Sequence, residues 1–152
     1  MNKIIVPKIQ LNLEIDYQLL AQEILRTIRK DLSQRELSQN LGYSFNQVGK
    51  WESGATQIKM DDFILFSQSL NIEIEKHFRS SYSFFNPEFS VPTLIQALDI
   101  TINFNTILDK NFHRTLLKWK NGTTVPDFAE ILKLMGRTPP ISGKLSLQIL
   151  NN

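Results

Sequence analysis

The sequence contains no cysteine and only two histidines, His77 and His113. A disulfide framework and a cysteine-ligated zinc site are therefore excluded, and we expect neither a metal site nor a cofactor. No stretch approaches the roughly 18 consecutive apolar residues that indicate a membrane-spanning helix. The N-terminal segment has a short apolar run that Pro7 breaks, unlike the longer apolar region of a secretory signal. These absences predict a cytoplasmic, nucleoid-associated protein without a membrane partner.

Motifs of catalysis are absent as well. The sequence contains no glycine-rich phosphate loop, no Gly-x-Ser-x-Gly and no His-Glu-x-x-His. No spacing of carboxylates or hydroxyls singles out a catalytic pair. We therefore predict that the chain is not an enzyme, and we expect no small-molecule ligand.

Charge of one sign is also scarce, because the formal net charge of the 152 residues is +2. The first 80 residues carry ten basic and ten acidic side chains, and the remainder carries seven and five. Binding to DNA without sequence preference strengthens with the number of phosphates neutralised, so this balance argues against a nucleoid-type packaging protein. The hydrophobic fraction of 41%, which includes ten Phe, is enough for one domain or two very small ones.

Helix-capping residues and helical periodicity organise the first half of the chain. Asp16 can cap a helix that runs to about Lys30. Ser33 and Glu36 form a capping box for a short helix that stops near Gly42, where a left-handed glycine fits. A second capping box, from Ser44 to Gln47, predicts another short helix that ends near Gly54, and a helix near 60–70 follows. Asn71 is then predicted to cap a helix that reaches about Phe78.

Breaks in this pattern predict the domain organisation. Partial alternation in residues 3–15 predicts a short extended N-terminal arm. We expect one domain at 14–80, a linker at 81–91, a second domain at 92–137 and a tail at 138–152. The second domain is predicted to contain helices at 92–99, 101–109, 112–120 and 126–135, and Gly136 is predicted to end the last one.

Two short capped helices joined by a glycine turn describe a helix-turn-helix. Leu37, Leu41 and Val48 are apolar at the positions where the two helices must cross. The second helix would then expose Asn46 and Lys50, which can contact phosphates and base edges. Phe45 and Gly49 share that outer side.

These residues resemble the Cro/repressor-type, or xenobiotic-response-element, family of helix-turn-helix proteins. The resemblance covers about residues 20–78 and rests on two elements: Ser-Gln-x-x-Leu-Ser-x-x-Leu-Gly from Ser33, and Val-x-x-Trp-Glu-x-Gly from Val48. It implies a lambda repressor-like bundle whose third helix enters the major groove of double-stranded DNA. It also implies phosphate contacts near the start of the second helix and base contacts on the third. The positions that it assigns to DNA are Ser33, Gln34, Ser44, Phe45, Asn46, Gln47, Lys50 and Ser53. Trp51 and Leu41 would lie in the core.

The chain departs from the family pattern at three positions. Ser38 stands where the family often has Ala, and Ile58 where it often has Pro. Phe45 replaces a residue that is commonly polar and reads bases. Phe45 could contact a thymine methyl group, or it could pack against a partner protein or a neighbouring helix.

A second, degenerate copy of the motif follows 68 residues later. Lys118-Trp119-Lys120-Asn121-Gly122 mirrors the Lys-Trp-Glu-Ser-Gly segment that begins at Lys50. In the corresponding reading helix, His113, Arg114 and Lys118 are candidate DNA contacts. One chain could then present two DNA-reading helices without dimerising. The second copy could instead be a packing or dimerisation module.

The sequence therefore predicts an all-α protein with a helix-turn-helix that is duplicated in one chain. The favoured function is sequence-specific binding of double-stranded DNA by a repressor-like transcription regulator of bacterial, phage or mobile-element origin. A homodimer or a cognate protein partner is compatible with this function. The alternative is a protein-interaction module, such as an antitoxin or a phage-defence adaptor, that uses a helix-turn-helix scaffold.

Overall fold

The computed structural model describes residues 15–82, 84, 86–102 and 110–137. This part of the chain is all-α, as predicted. It contains eight helices: α1 (Tyr17–Arg29), α2 (Gln34–Asn40), α3 (Gln47–Ser53), α4 (Met60–Ser69), α5 (Ile74–Ser81), α6 (Val91–Ile102), α7 (Lys110–Lys120) and α8 (Phe128–Arg137). The predicted N-terminal arm and the tail at 138–152 lie outside the described residues.

The first two helices begin where their caps predicted. The Asp16 carboxylate accepts the amides of Gln18 and Leu19, each at 3.1 Å. The Ser33 hydroxyl accepts the amide of Glu36 at 3.0 Å, which confirms its role in the first capping box. Gly42 has a left-handed φ of 81°, as a glycine after a short helix should.

Four predictions of local structure were wrong. Ser44 does not cap α3: its hydroxyl donates to the Asn46 side chain at 2.8 Å, and Asn46 is the N-cap residue. Asn71 does not begin α5 but follows the end of α4 with a φ of 59°. Gly136 does not end α8, which continues to Arg137, and the helices predicted at 92–99 and 101–109 begin as one helix, α6. Residues 103–109 lie outside the described part.

One hydrophobic core runs through both halves of the described chain. Helix α1 faces it with a stripe at helical spacing: Ala21, Ile24, Leu25 and Ile28. Helix α1 packs on α3 and also on α8, where the Tyr17 hydroxyl lies directly over Gly136. The segment between α5 and α6 contributes the buried side chains of Tyr82 and Phe84.

The two halves also meet through the backbone just before α4 and α8. Lys59 and Asp127 form an isolated antiparallel bridge. The Met60 amide donates to the Pro126 carbonyl and the Phe128 amide donates to the Ile58 carbonyl, each at 2.9 Å. Beside this bridge, the rings of Phe63 and Phe128 stack with their centroids 3.6 Å apart.

Candidate nucleic-acid interface

Helices α2 and α3 are joined by a buried hydroxyl. The amide of Val48 donates to the Ser38 hydroxyl oxygen at 3.0 Å, and that hydroxyl donates to the Gln34 carbonyl at 2.7 Å. The first amides of a helix have no partner within the helix, so Ser38 satisfies one of them from the neighbouring helix. This explains a serine at a position where the resemblance suggested alanine. It also fixes the angle between the two helices.

The predicted inner and outer sides of α3 are confirmed. Val48 and Trp51 are buried, as is Leu37 on the facing helix. Asn46 and Lys50 are exposed, and Gln47 is partly buried. Phe45 leaves 60% of its surface exposed, with the Arg35 guanidinium 5.3 Å from its ring centroid. This distance is within the range of a cation–π contact.

Gly49, predicted on the outer side of α3, is partly buried because the Gln34 side chain lies against it. A Cβ atom at this residue would lie 3.0 Å from the Gln34 side-chain oxygen. The Gln34 amide group therefore lies against α3. Gln34 is nevertheless exposed to solvent, so its side chain could also contact a ligand that binds beside α3.

The three serines predicted to contact DNA have different hydrogen-bond partners within the protein. Ser33 and Ser44 both engage local partners, the Glu36 amide and the Asn46 side chain. Ser53 donates to the Lys50 carbonyl at 3.2 Å near the end of α3. All three serines remain exposed, so a phosphate could still reach their hydroxyls.

A buried ion pair ties the end of α3 to α1. Both Glu52 oxygens accept from the Arg29 guanidinium at 2.8 Å, and the Glu52 side chain is only 2% exposed. The Arg26 guanidinium also donates to the Glu52 carbonyl at 2.5 Å. This pair was not predicted from the sequence. The one indication of it in the sequence is that Glu52 directly follows Trp51, which was predicted to lie in the core.

Aromatic contacts hold the turn before α3. The Tyr43 ring meets Trp51 edge-on at 5.3 Å, and its hydroxyl donates to the Asp62 carboxylate on α4. The hydrogen bond to Asp62, burial and the nearby charges of Asp62 and Asp61 raise the pKa of Tyr43 to about 12. The phenol therefore stays protonated and keeps the turn fixed to α4.

Four cations without an ion pair lie on or beside the two predicted reading segments, and Lys30 and Lys133 are further examples elsewhere in the described residues. The basic side chains that pair with carboxylates on α1, before α4 and on α5 are Arg26, Arg29, Lys59, Lys76 and Arg79. Arg35 and Lys50 form no ion pair in this part of the chain, and neither do Arg114 and Lys118 on α7. An unpaired exposed cation is free to bind a phosphate or a base edge.

The α7 candidates separate into two kinds. Arg114 and Lys118 are exposed. His113 is half-buried, and its Nε2 atom is shielded from solvent with no hydrogen-bond partner among the described residues. Trp119 lies in the core, as predicted.

Other kinds of site find no support in the described residues. These residues contain no group of three or more His, Cys, Asp or Glu side chains that could hold a metal ion. Of their helices, none is long and apolar enough to cross a membrane.

The comparisons with known proteins agree with the geometry of α2 and α3. Residues 23–77 match a family model described as helix-turn-helix. No curated protein and no solved structure matches the chain. The matched segment contains every candidate contact on α2 and α3 and leaves α6 to α8 outside.

Proposed function

We propose that this chain is a DNA-binding transcription regulator of the Cro and repressor type, and the match of residues 23–77 to the helix-turn-helix family supports this proposal. Helix α3 enters the major groove of double-stranded DNA and reads its sequence. The chain acts as a repressor by covering the duplex that it selects. The family match supports DNA binding in general, and repression and sequence preference are the finer parts of the proposal.

The exposed polar face of α3 carries this proposal. Asn46 and Lys50 are solvent-accessible on a helix whose other side is held by Ser38, Arg29 and the core. A base-reading helix must be rigid, because hydrogen bonds to base edges tolerate little displacement. The buried Glu52 pair and the interhelical cap provide that rigidity.

The chemistry of these side chains suggests which bases are read. The amide groups of Asn46 and Gln47 can each make two hydrogen bonds to adenine, through N6 and N7. Lys50 can bind the two acceptors of guanine, or a phosphate. Ser33, Gln34, Ser44 and Ser53 flank this face and would set the position on the backbone, which carries no sequence information.

Selection of bound duplexes from a random library, followed by titration of variants on the selected duplex, tests the proposal. We expect Asn46→Ala and Lys50→Ala each to weaken binding roughly 5- to 150-fold, the range typical of one good base contact. Lys76→Ala, which removes an exposed lysine of α5, is the control and should bind as the wild type does. Unchanged affinity of both α3 variants at fixed salt would contradict the proposal.

One observation favours a second candidate function. Phe45 leaves 60% of its surface exposed at the edge of the proposed reading face, and an exposed aromatic ring can anchor a protein partner. An antitoxin or adaptor would use this face to hold its partner. A stable partner that is lost in Phe45→Ala, together with no salt-dependent DNA binding by the wild type, would favour this candidate over the first.

A further inference from the structure

We propose that α6, α7 and α8 repeat α1, α3 and α4, and that one chain therefore reads two unlike DNA half-sites, the second through α7. The proposal rests on the proposed function of α3 and extends it to a part of the chain that the family match does not cover. Four independent features of the structure support it.

The first feature is the pair of helices α4 and α8. Helix α4 begins at Met60 and α8 begins at Phe128, 68 positions later. Their buried positions correspond as well. Met60, Phe63 and Phe66 are buried on α4, and Phe128, Ile131 and Leu134 are buried 68 positions later on α8.

The second feature is the turn that precedes each of these helices. Gly54 and Gly122 both have a left-handed φ, of 81° and 78°. The Thr56 amide donates to the Lys50 carbonyl at 3.3 Å, and 68 positions later the Thr124 amide donates to the Lys118 carbonyl at 3.4 Å. Matching hydrogen bonds at matching positions indicate the same turn twice.

The third feature is the first helix of each unit, which corresponds with an offset of 70 rather than 68. With this offset the buried stripe of α1 falls on buried residues of α6: Val91, Leu94, Ile95 and Leu98. The neighbour of each turn glycine also corresponds, since Gln22 lies over Gly54 and Pro92 lies over Gly122. The second unit is thus two residues shorter between its first and third helices.

The third feature extends to the tether from the first helix to the third, which is repeated with its charges reversed. Arg29 on α1 pairs with Glu52, and Asp99 on α6 pairs with Lys120, the residue that corresponds to Glu52. A weaker polar contact accompanies each pair. The Glu52 carbonyl accepts from Arg26 at 2.5 Å, and the Lys120 carbonyl accepts from Gln96 at 3.5 Å.

The fourth feature is the contact between the two units. Met60 donates to Pro126, and Phe128 donates to Ile58. Phe128 corresponds to Met60 and Pro126 corresponds to Ile58. Each unit therefore donates from the same backbone position and accepts at the same backbone position. A contact across a twofold axis shows this kind of reciprocity. Here it is confined to the segment around the Lys59–Asp127 bridge, because the contact of α1 with α8 has no counterpart of similar extent between α6 and α4.

These correspondences make α7 the counterpart of α3, with one difference. Helix α7 is already helical at Lys110, ahead of Thr115, which corresponds to the first residue of α3. Arg114 corresponds to Asn46 and Lys118 to Lys50, and both are exposed without an ion pair in the described part of the chain. Leu117, at the position of Gly49, leaves 62% of its surface exposed on the same face. His113 is half-buried and does not belong to this face.

The two reading faces favour different bases. Arginine binds guanine through O6 and N7, and an apolar side chain contacts the methyl group of thymine. Helix α7 should therefore prefer guanine and thymine, through Arg114 and Leu117, where α3 prefers adenine, through Asn46 and Gln47. The DNA site should be an imperfect palindrome with two unlike halves.

Footprinting on the selected duplex separates the two faces. We compare Asn46→Ala/Lys50→Ala with Arg114→Ala/Lys118→Ala, and use Lys76→Ala/Lys133→Ala as the control that removes two exposed lysines elsewhere. Each reading-face variant should lose protection over one half-site and lose affinity at least roughly fivefold, with circular dichroism unchanged. The control should retain both halves of the footprint.

Three other results would overturn this inference. If Arg114→Ala/Lys118→Ala behaves like the control, α7 does not read DNA and only the function proposed for α3 survives. If Asn46→Ala/Lys50→Ala removes protection from both halves, two chains each use α3. If the library yields no preferred duplex, or if no variant changes the binding, the proposed function fails together with this inference.

Discussion

Lys59 and Asp127 pair twice, once through an antiparallel backbone bridge and once through an ion pair of 2.9 Å between Nζ and Oδ1. They stand 68 positions apart and immediately precede α4 and α8. The hydrogen bond to Asp127 raises the pKa of the Lys59 ammonium, with burial as a smaller opposing effect. Because Lys59 is half exposed, we expect the backbone and the apolar contacts beneath, rather than this ion pair, to hold the two units together.

The stacked rings of Phe63 and Phe128 provide a direct test that the two units share one core. Phe63→Leu and Phe128→Leu together should show a coupling free energy of about 0.5–1.5 kcal/mol, the value expected for an aromatic pair in contact. Urea unfolding of the four proteins of the double-mutant cycle measures it. Phe89, whose ring instead lies near Phe78 and Phe84, supplies the control. Phe63→Leu with Phe89→Leu should be additive to within about 0.5 kcal/mol; equal coupling in both cycles would contradict a specific contact.

Ser38→Ala should destabilise the protein by about 1–2 kcal/mol. The change leaves the buried Val48 amide without its hydrogen-bond acceptor, and a buried unsatisfied donor carries a desolvation penalty of that size. Ser80→Ala is the matched control, because Ser80 is exposed and bonds only the His77 carbonyl within its own helix. Its effect on the free energy of unfolding should be close to zero. Equal effects of the two changes would exclude an interhelical cap at Ser38.

Glu52→Gln should cost about 3–5 kcal/mol, because it leaves the Arg29 guanidinium largely buried without a counter-charge. Glu23→Gln breaks the pair of Glu23 with Arg26 on the exposed face of α1. That control should cost less than about 1 kcal/mol, as exposed pairs do. Thermal or urea unfolding compares the two, and similar costs would mean that the Glu52 pair does not anchor α3.

Tyr43 should ionise near pH 12 rather than at its ordinary pKa of 10. A folded-state pKa above the unfolded value means that this phenol stabilises the fold below pH 10, and that the contribution disappears between pH 10 and about 12. Tyrosinate absorbance during an alkaline titration follows it, and Tyr43→Phe should remove the component near pH 12. Asp62→Asn should move that component toward pH 10. A component near pH 10 that disappears in Tyr43→Phe would contradict the hydrogen bond.

Much of the first unit was predictable because its signals are local. A capping side chain accepts a hydrogen bond from an amide no more than three residues later in the chain. The sequence around Asp16 and Ser33 was therefore enough to predict that helices begin there. The left-handed turn at Gly42 was predictable because a positive φ favours glycine. The inward side of α3 followed from spacing alone, since Val48 and Trp51 recur at helical intervals.

The remaining features depend on residues that are distant in the sequence. Ser44 could have capped α3, but Ser38, ten residues from the amide that it satisfies, occupies that role. Asn71 adopts a left-handed conformation after α4, where glycine is commoner, so a helix-start interpretation was wrong. Gly136 suggested a helix end, yet it continues α8 and leaves room for Tyr17 on α1. The reversed pairs of Glu52 and Lys120 were also hidden, because each partner comes from another helix.

The stoichiometry of the DNA complex tests the central claim most directly. Sedimentation or native mass spectrometry of the chain with a selected duplex containing both half-sites counts chains per duplex. We predict one chain per duplex, with the free protein monomeric at the same concentration, because the contact around Lys59 and Asp127 already joins two units. Two chains on a symmetric duplex, bound cooperatively through α3 alone, would contradict the account.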